Sequence, residues 1–274
     1  MAYEDLLLEK EEAIAIVALN VPDKLNPITG KMGVSLSLAA DEIAKDNEIR
    51  AVIVTGAGRG FSSGADVSGM ARAQQGSGGQ AAAPAQPVEI PRQSRYQPQG
   101  YPFADVFPKL NKPVIAAING PCAGGGFSLA LSCDIRIASE SARFIVSQVA
   151  RGLNPDWGMT YYLPMAIGMS RALELMFTVD MIDAASAERM GIVSKVVPHD
   201  KLMDEARELA AKICKQPPIA VELAKKVVWQ GRLDDLNRQL DLETWALRIS
   251  QQTEDYRESV RAFMEKREAQ FKGR

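Results

Sequence analysis

Short apolar runs alternate with helix-like patterns through the first half of the chain. The helical patterns cover TGKMGVSLSLAADEIAKD (29–46) and AGGGFSLALS (123–132), where apolar residues recur with the spacing of one helix face. The apolar runs end in polar or glycine-rich turns, as buried strands do. They are IAIVALN (14–20), AVIVTGAG (51–58), KPVIAAING (112–120) and CDIRIAS (133–139). This alternation predicts an α/β fold and argues against a β-sandwich.

From residue 200 onward the pattern is helical to the end. We expect one helix with an N-cap at Asp200, a break at Pro217-Pro218, and further helix beyond it. In LDDLNRQLDLETWALRI (233–249), apolar residues fall on more than one helix face. Because a helix that is apolar on two sides must bury both, this region is predicted to contact another subunit.

The stretch from residue 71 to residue 100 differs in composition from the rest. It is rich in Gly, Pro, Ala and Gln and has no apolar period. A connection of this length within a compact domain is typical of a mobile lid or of a plain surface insertion. We therefore divide the chain into a core at 1–199, with the flexible insertion at 71–100, and a helical oligomerisation region at 200–274.

Composition and charge exclude several classes of protein. The 274 residues are 46% hydrophobic and 24% charged, as in an ordinary globular protein, and the formal net charge is -2. Such a balance offers no basic surface for nucleic acid. The chain has no apolar run of about 18 residues, and its first residues are acidic, so we expect neither a membrane span nor a signal peptide. The expected location is the cytoplasm.

The few cysteines and the single histidine restrict the possible chemistry. Cys122, Cys133 and Cys214 are widely spaced, which indicates neither a disulfide framework nor a zinc site. His199 lies in a polar turn, VVPHDKL, and is interpreted as a surface residue. A multi-histidine metal site is excluded, and Ser-His-Asp chemistry is not expected. We predict no metal, so catalysis would depend on carboxylates, backbone dipoles or a cofactor.

Two glycine-rich loops each follow a buried strand. They are GAGRGFSSGAD (56–66) and GPCAGGGFSLA (120–130). The first has G-x-G-x-G spacing, which does not match the G-x-G-x-x-G of dinucleotide-binding turns. Two helix N-termini that meet at one point would instead present two backbone N–H donors to a developing oxyanion.

At this point the sequence resembles a known family. The segments FSSGAD (61–66), KPVIAAINGPCAGGGFSLALSCDIRIAS (112–139) and SAERMGIVSKVVP (186–198) are similar to those of the enoyl-CoA hydratase/isomerase (crotonase) superfamily. The resemblance implies a crotonase-like ββα spiral core with a C-terminal α-helical trimerisation region. It also implies a homotrimer or a hexamer of paired trimers, and acyl-CoA thioesters as substrates, with coenzyme A as part of the substrate and no separate cofactor.

The resemblance transfers the family's roles only in part. Its oxyanion hole corresponds to the backbone amides of Ala65 and Gly125, and both positions match. The hydratases of the family use two glutamates, and the corresponding positions here are Ser128 and Gln148. Because neither side chain titrates near neutral pH, the paired-carboxylate addition of water is in doubt.

Asp156 is the remaining candidate base. In NPDWGMT it could be a turn residue or a helix cap, since Asp favours both. The isomerases of the family place an aspartate in a similar P-D-x-G sequence, and this resemblance favours catalysis. We predict that Asp156 moves a proton between C2 and C4 of a 3-enoyl-CoA to give the 2-enoyl product.

Further substrate contacts follow from the same resemblance. Lys24 is implied near the nucleotide phosphates, and Phe263 with Lys266 near the adenine end in a neighbouring subunit. Asp66, Gln148 and Trp157 are also expected to contact the substrate, beside Ala65 and Gly125.

Three other functions remain open from the sequence. They are an enoyl-CoA hydratase, an acyl-CoA hydrolase or dehalogenase with an aspartate nucleophile, and a non-catalytic acyl-CoA-binding scaffold.

Overall fold

A computed structural model of the chain describes residues 3–66 and 104–273. Its main sheet has six strands in the order β1-β2-β4-β6-β8-β11, antiparallel between β1 and β2 and parallel from β2 onward. Two smaller sheets, β10-β9-β7 and β3-β5, lie outside it. The strands are β1 Leu6–Glu11, β2 Ile14–Leu19, β3 Pro27–Ile28, β4 Ala51–Gly56, β5 Gly64–Ala65, β6 Val114–Ile118, β7 Pro121–Ala123, β8 Ile135–Ser139, β9 Arg143–Ile145, β10 Ile182–Asp183 and β11 Lys195–Val197.

Helices connect the strands and make up most of the C-terminal part. Short 3-10 helices cover Pro22–Lys24, Val149–Arg151 and His199–Lys201. The α-helices of the described residues are α1 Gly30–Lys45, α2 Val106–Lys109, α3 Gly125–Leu131, α4 Met159–Ile167, α5 Met169–Thr178, α6 Ala184–Met190, α7 Leu202–Cys214, α8 Pro218–Ser250 and α9 Glu254–Glu265.

The central strands β2, β4 and β6 of the main sheet are buried on both faces, which explains their continuous apolar runs. In β4, all six residues are buried, and alternate side chains pack into two different clusters. Val52 and Val54 join the larger cluster with α1, whereas Ala51 and Ile53 face α7. The α/β alternation predicted from residues 14–139 is confirmed, with ends that differ by at most two residues.

The C-terminal helices differ from the expectation in detail. Asp200 was expected as an N-cap, and this is wrong, because it lies inside the 3-10 helix and α7 begins at Leu202. Beyond Pro217, the sequence forms one helix of 33 residues, α8. Since α7 covers a face of the main sheet, the helical region starts as part of the core; the division at residue 199 stays a prediction.

The two apolar faces of α8 have different surroundings. Leu236 and Leu240 are buried against the core of the same chain. Trp245 and Ile249, on another face, are exposed in the single chain. The subunit contact predicted for this region therefore stays a prediction, and so does the lid at 71–100, which lies outside the described residues.

Candidate functional site

The two glycine-rich loops meet in the fold. Gly64, in β5, has a φ of +86°, and a side chain there would place its Cβ 3.2 Å from the amide nitrogen of Gly125 and 2.7 Å from the carbonyl oxygen of Ala123. Glycine is therefore required both for the backbone angle and for the close approach. Ala65 follows directly and is half-buried. The candidate oxyanion donors Ala65 and Gly125 thus lie on two segments in contact.

Gly125 is the first residue of α3, and its amide has no acceptor within the helix. The indole of Trp157 covers this helix start, because a Cβ on Gly125 would overlap ring atoms Cε3 and Cζ3. Trp157 is buried and has a φ of +58°, in the left-handed region. One residue of the NPDWGMT turn is therefore packed directly against the candidate oxyanion donor. In contrast, Phe127 pairs with Phe144 in the core, at 5.3 Å between ring centroids, and is a packing residue.

Asp156 is half-buried beside Trp157 and is fastened by two neutral side chains. The Gln148 Nε2 donates a hydrogen bond to Asp156 Oδ1 at 3.2 Å, and the Ser128 Oγ donates to the Asp156 backbone oxygen at 3.0 Å. These are the two positions at which the family's hydratases are expected to carry glutamates. In this chain the two positions carry Ser128 and Gln148, which hold the candidate base by hydrogen bonds.

Among the described residues, only one of the two polar side-chain atoms of Gln148 is hydrogen-bonded. The residue is 7% exposed. Its amide nitrogen faces the carboxylate, and its Oε1 is buried with no hydrogen-bond partner among residues 3–66 and 104–273. This oxygen lies 3.8 Å from the position that a Cβ on Gly124 would take, so Gln148 also borders the start of α3.

The interpretation of Asp156 as the cap of α4 is not supported. The cap position is Gly158, which has no capping side chain of its own. The backbone oxygen of Asp156 accepts from Met159 N at 3.1 Å, so the residue does form a turn. The amides of Gly158 and Thr160 donate instead to the carboxylate of Glu243, at 2.7 and 2.9 Å.

Glu243 is the functional candidate that the sequence analysis missed. It projects from α8 and is 1% exposed, and the Thr160 hydroxyl also donates to it, at 2.5 Å. The pKa of Glu243 is raised to about 7, chiefly by burial and slightly by the charge of Asp156, against the hydrogen bonds from Thr160 and Gly158, which lower it. A signal was present in the sequence, since Glu243 shares the buried stripe of Leu236, Leu240 and Leu247.

The residues implied for coenzyme A lie apart from this cluster. Lys24 is exposed, and its backbone oxygen accepts from the Ser63 Oγ at 3.1 Å, which places it beside the loop that leads to Ala65. Phe263 is 54% exposed and lies under the guanidinium of Arg151, 5.0 Å from the ring centroid. Lys266 ends α9, and Asp66 is half-buried at the end of the first described range. Their roles stay predictions.

No cluster of three or more His, Cys, Asp or Glu suited to a metal ion occurs within 3–66 and 104–273. His199 is exposed, as predicted, with its Nδ1 3.2 Å from the hydroxyl oxygens of Ser139 and Ser141. Over the same residues, no helix is both long and apolar enough to cross a membrane.

Comparisons with known proteins agree with this fold. The enoyl-CoA hydratase/isomerase family matches residues 9–274. The chain is 37% identical to the short-chain-enoyl-CoA hydratase of Clostridium acetobutylicum, over 100% of both chains. It is 35% identical to the 1,2-epoxyphenylacetyl-CoA isomerase of Escherichia coli, over 99% of both. A crystal structure of an enoyl-CoA hydratase from Mycobacterium avium subsp. paratuberculosis superposes with a TM-score of 0.82, at 27% identity over 99% of this chain and 100% of that one.

Proposed function

Because the chain belongs to the enoyl-CoA hydratase/isomerase family and is an acyl-CoA enzyme of the crotonase fold, we propose that it is an enoyl-CoA isomerase. The reaction converts a 3-enoyl-CoA to the conjugated 2-enoyl-CoA. The observation that supports it is Asp156 beside the start of α3, where the neutral Gln148 and Ser128 hold it by hydrogen bonds.

The proposed reaction needs one base. The Asp156 carboxylate removes a proton from C2, the electrons of that C–H bond form the new double bond to C3, and the former 3,4 double bond takes the proton back at C4. The negative charge of the intermediate dienolate rests on the thioester oxygen. No water, metal or electron carrier enters the balance, and Asp156 ends in its starting state.

The backbone amides of Ala65 and Gly125 are assigned to that oxygen. Donors fixed in advance contribute on the order of 10²–10³ in rate each, since they need no reorganisation when charge develops. The Trp157 ring over the start of α3 excludes water from this side of the site, which protects the conjugated product from hydration.

The alternative function, an enoyl-CoA hydratase, is supported by the names of relatives. Hydration needs a base for the water and a proton source for the α-carbon, and the two positions expected to supply them carry Ser128 and Gln148. An aspartate nucleophile or a non-catalytic scaffold is the remaining alternative. The trimeric or hexameric assembly and the coenzyme A contacts of Lys24, Phe263 and Lys266 are proposed on the resemblance alone.

The test is Asp156→Asn with 3-enoyl-CoA substrates of several chain lengths. Loss of a general base lowers kcat by about 10²–10⁴, and the affinity for a saturated acyl-CoA stays unchanged. The absorbance of the conjugated thioester reports turnover, and Asp180→Asn, an exposed aspartate, is the matched control. A variant with near-normal turnover would disprove the proposal.

The competing functions give different signals in the same preparation. A hydratase consumes 2-enoyl-CoA, so the absorbance falls. A nucleophilic aspartate takes up solvent ¹⁸O in a single turnover. A scaffold shows no exchange of the substrate C2 proton in D₂O.

A further inference from the structure

Glu243 occupies a position that an apolar residue would fill at lower cost. On α8 it belongs to the buried stripe of Leu236, Leu240 and Leu247, and it is 1% exposed. An ionisable group in such a place is expensive unless its oxygens are hydrogen-bonded. Burying it therefore needs an explanation beyond packing.

Its hydrogen bonds all reach the start of α4. The Glu243 carboxylate accepts from Gly158 N at 2.7 Å, from Thr160 N at 2.9 Å and from the Thr160 hydroxyl at 2.5 Å. Gln239, one turn earlier on α8, donates its Nε2 to the same hydroxyl at 2.7 Å. Helix α8 thus supplies the cap that α4 lacks locally, and it caps a helix that begins three residues after Asp156.

The turn between this cap and Asp156 is strained. Trp157 has a φ of +58° and Gly158 a φ of +81°. A bulky residue in the left-handed region costs about 1 kcal/mol or more and persists only where its surroundings hold it. Trp157 is held on one side by its contact with Gly125, and Gly158 is held on the other by Glu243.

We propose that Glu243 is the positioning residue for Asp156: its carboxylate holds the Trp157–Gly158 turn in the one conformation that keeps Asp156 beside the glycine loops. Glu243 itself touches no substrate in this scheme. The inference rests on the proposed role of Asp156 as the base.

The electrostatics of the pair supports this role. Burial and the charge of Asp156 raise the pKa of Glu243, while the two amides and the hydroxyl lower it. The hydrogen bonds therefore favour the ionised carboxylate that caps α4, against the cost of burial.

The experiment compares Glu243→Gln with Thr160→Val and with the exposed Asp241→Asn on the same helix. Glu243→Gln keeps the volume but leaves one carbonyl oxygen for two amides. Because a misplacement of about 1 Å can cost about 10² in rate, we expect a 10- to 100-fold lower kcat with KM for 3-enoyl-CoA within about threefold. Thr160→Val keeps both backbone hydrogen bonds and is expected to retain most of kcat.

Each outcome decides the matter. Thermal unfolding and circular dichroism measure the folded fraction, and kcat is expressed per folded enzyme. A folded Glu243→Gln enzyme with wild-type kcat would overturn the inference, and the base assignment would stand if Asp156→Asn is inactive. If Asp156→Asn is fully active, both proposals fail. Should Glu243→Gln not fold, Glu243→Asp keeps the charge but draws the carboxylate back from the amides of Gly158 and Thr160, and an unchanged kcat there would refute the positioning role.

Discussion

Replacing Gln148 by Glu would place a second carboxylate against the candidate base. The Gln148 Nε2 and Asp156 Oδ1 are 3.2 Å apart, and Gln148 is 7% exposed, so solvent would screen the new charge poorly. Two unit charges at this distance repel by about 5 kcal/mol at an effective dielectric constant of about 20. That energy corresponds to between three and four units on the pH scale, at about 1.4 kcal/mol each, before side chains relax.

The Gln148→Glu pair would therefore hold one shared proton across the neutral range. We expect the acidic limb of the kcat profile to move to higher pH by about two units or more. The assay follows formation of the conjugated thioester from 3-enoyl-CoA between pH 5 and pH 9.

Gln148→Met is the matched control, because it removes the hydrogen bond without adding charge. It is expected to lower kcat with a smaller displacement of the acidic limb. If the limb of Gln148→Glu coincides with that of the wild type, Asp156 is not the group that titrates in catalysis, and the assignment of the base is refuted.

Three further predictions concern packing, a buried ion pair and pH. Gly125→Ala would drive its Cβ into the Trp157 ring, so we expect at least a tenfold lower kcat and a lower Tm, and wild-type values of both would contradict this reasoning. The Lys225 ammonium lies 2.8 Å from the Asp134 carboxylate in a buried ion pair. Lys225→Met is expected to lower the free energy of unfolding, measured with urea, by about 3 kcal/mol, and by less when it is combined with Asp134→Asn. The pKa of Glu243 rises from 4.5 to about 7 on folding, so its contribution to the free energy of unfolding, up to about 3 kcal/mol, is fully present below pH 4.5 and is lost as the pH rises through 7. Glu243→Gln should therefore flatten the dependence of the free energy of unfolding on pH between pH 5 and pH 8. An equal slope in the wild type and the variant would contradict this prediction.

The sequence was sufficient for those parts of the site that are encoded locally. The buried strands were visible as apolar runs because both faces of the main sheet are covered. Gly125 follows the end of β7, Gly64 begins β5, and the close contact between them requires bare backbone at Gly64. Asp156 stood out because its neighbours Pro155 and Gly158 enforce a turn, although the turn alone gave no reason to favour catalysis over capping.

The contribution of α8 could not be predicted in the same way. The amide of Gly158 and the carboxylate of Glu243 are 85 residues apart in the chain. Local rules assign the cap of α4 to Asp156, since an aspartate two residues before Gly158 is a common capping residue. Only the path of a 33-residue helix across the loop shows that another acid caps it.

The charges around Asp156 fit one-base chemistry better than hydration. Both oxygens of Glu243 are bonded to the start of α4, so this acid cannot turn toward a substrate without releasing the turn that carries Asp156. Ser128 and Gln148 are neutral, and they hold Asp156 by donating hydrogen bonds. A second carboxylate near Asp156 would compete with it for one proton. In the proposed mechanism, Asp156 serves as the base among neutral donors, and Glu243 fixes the backbone that carries it.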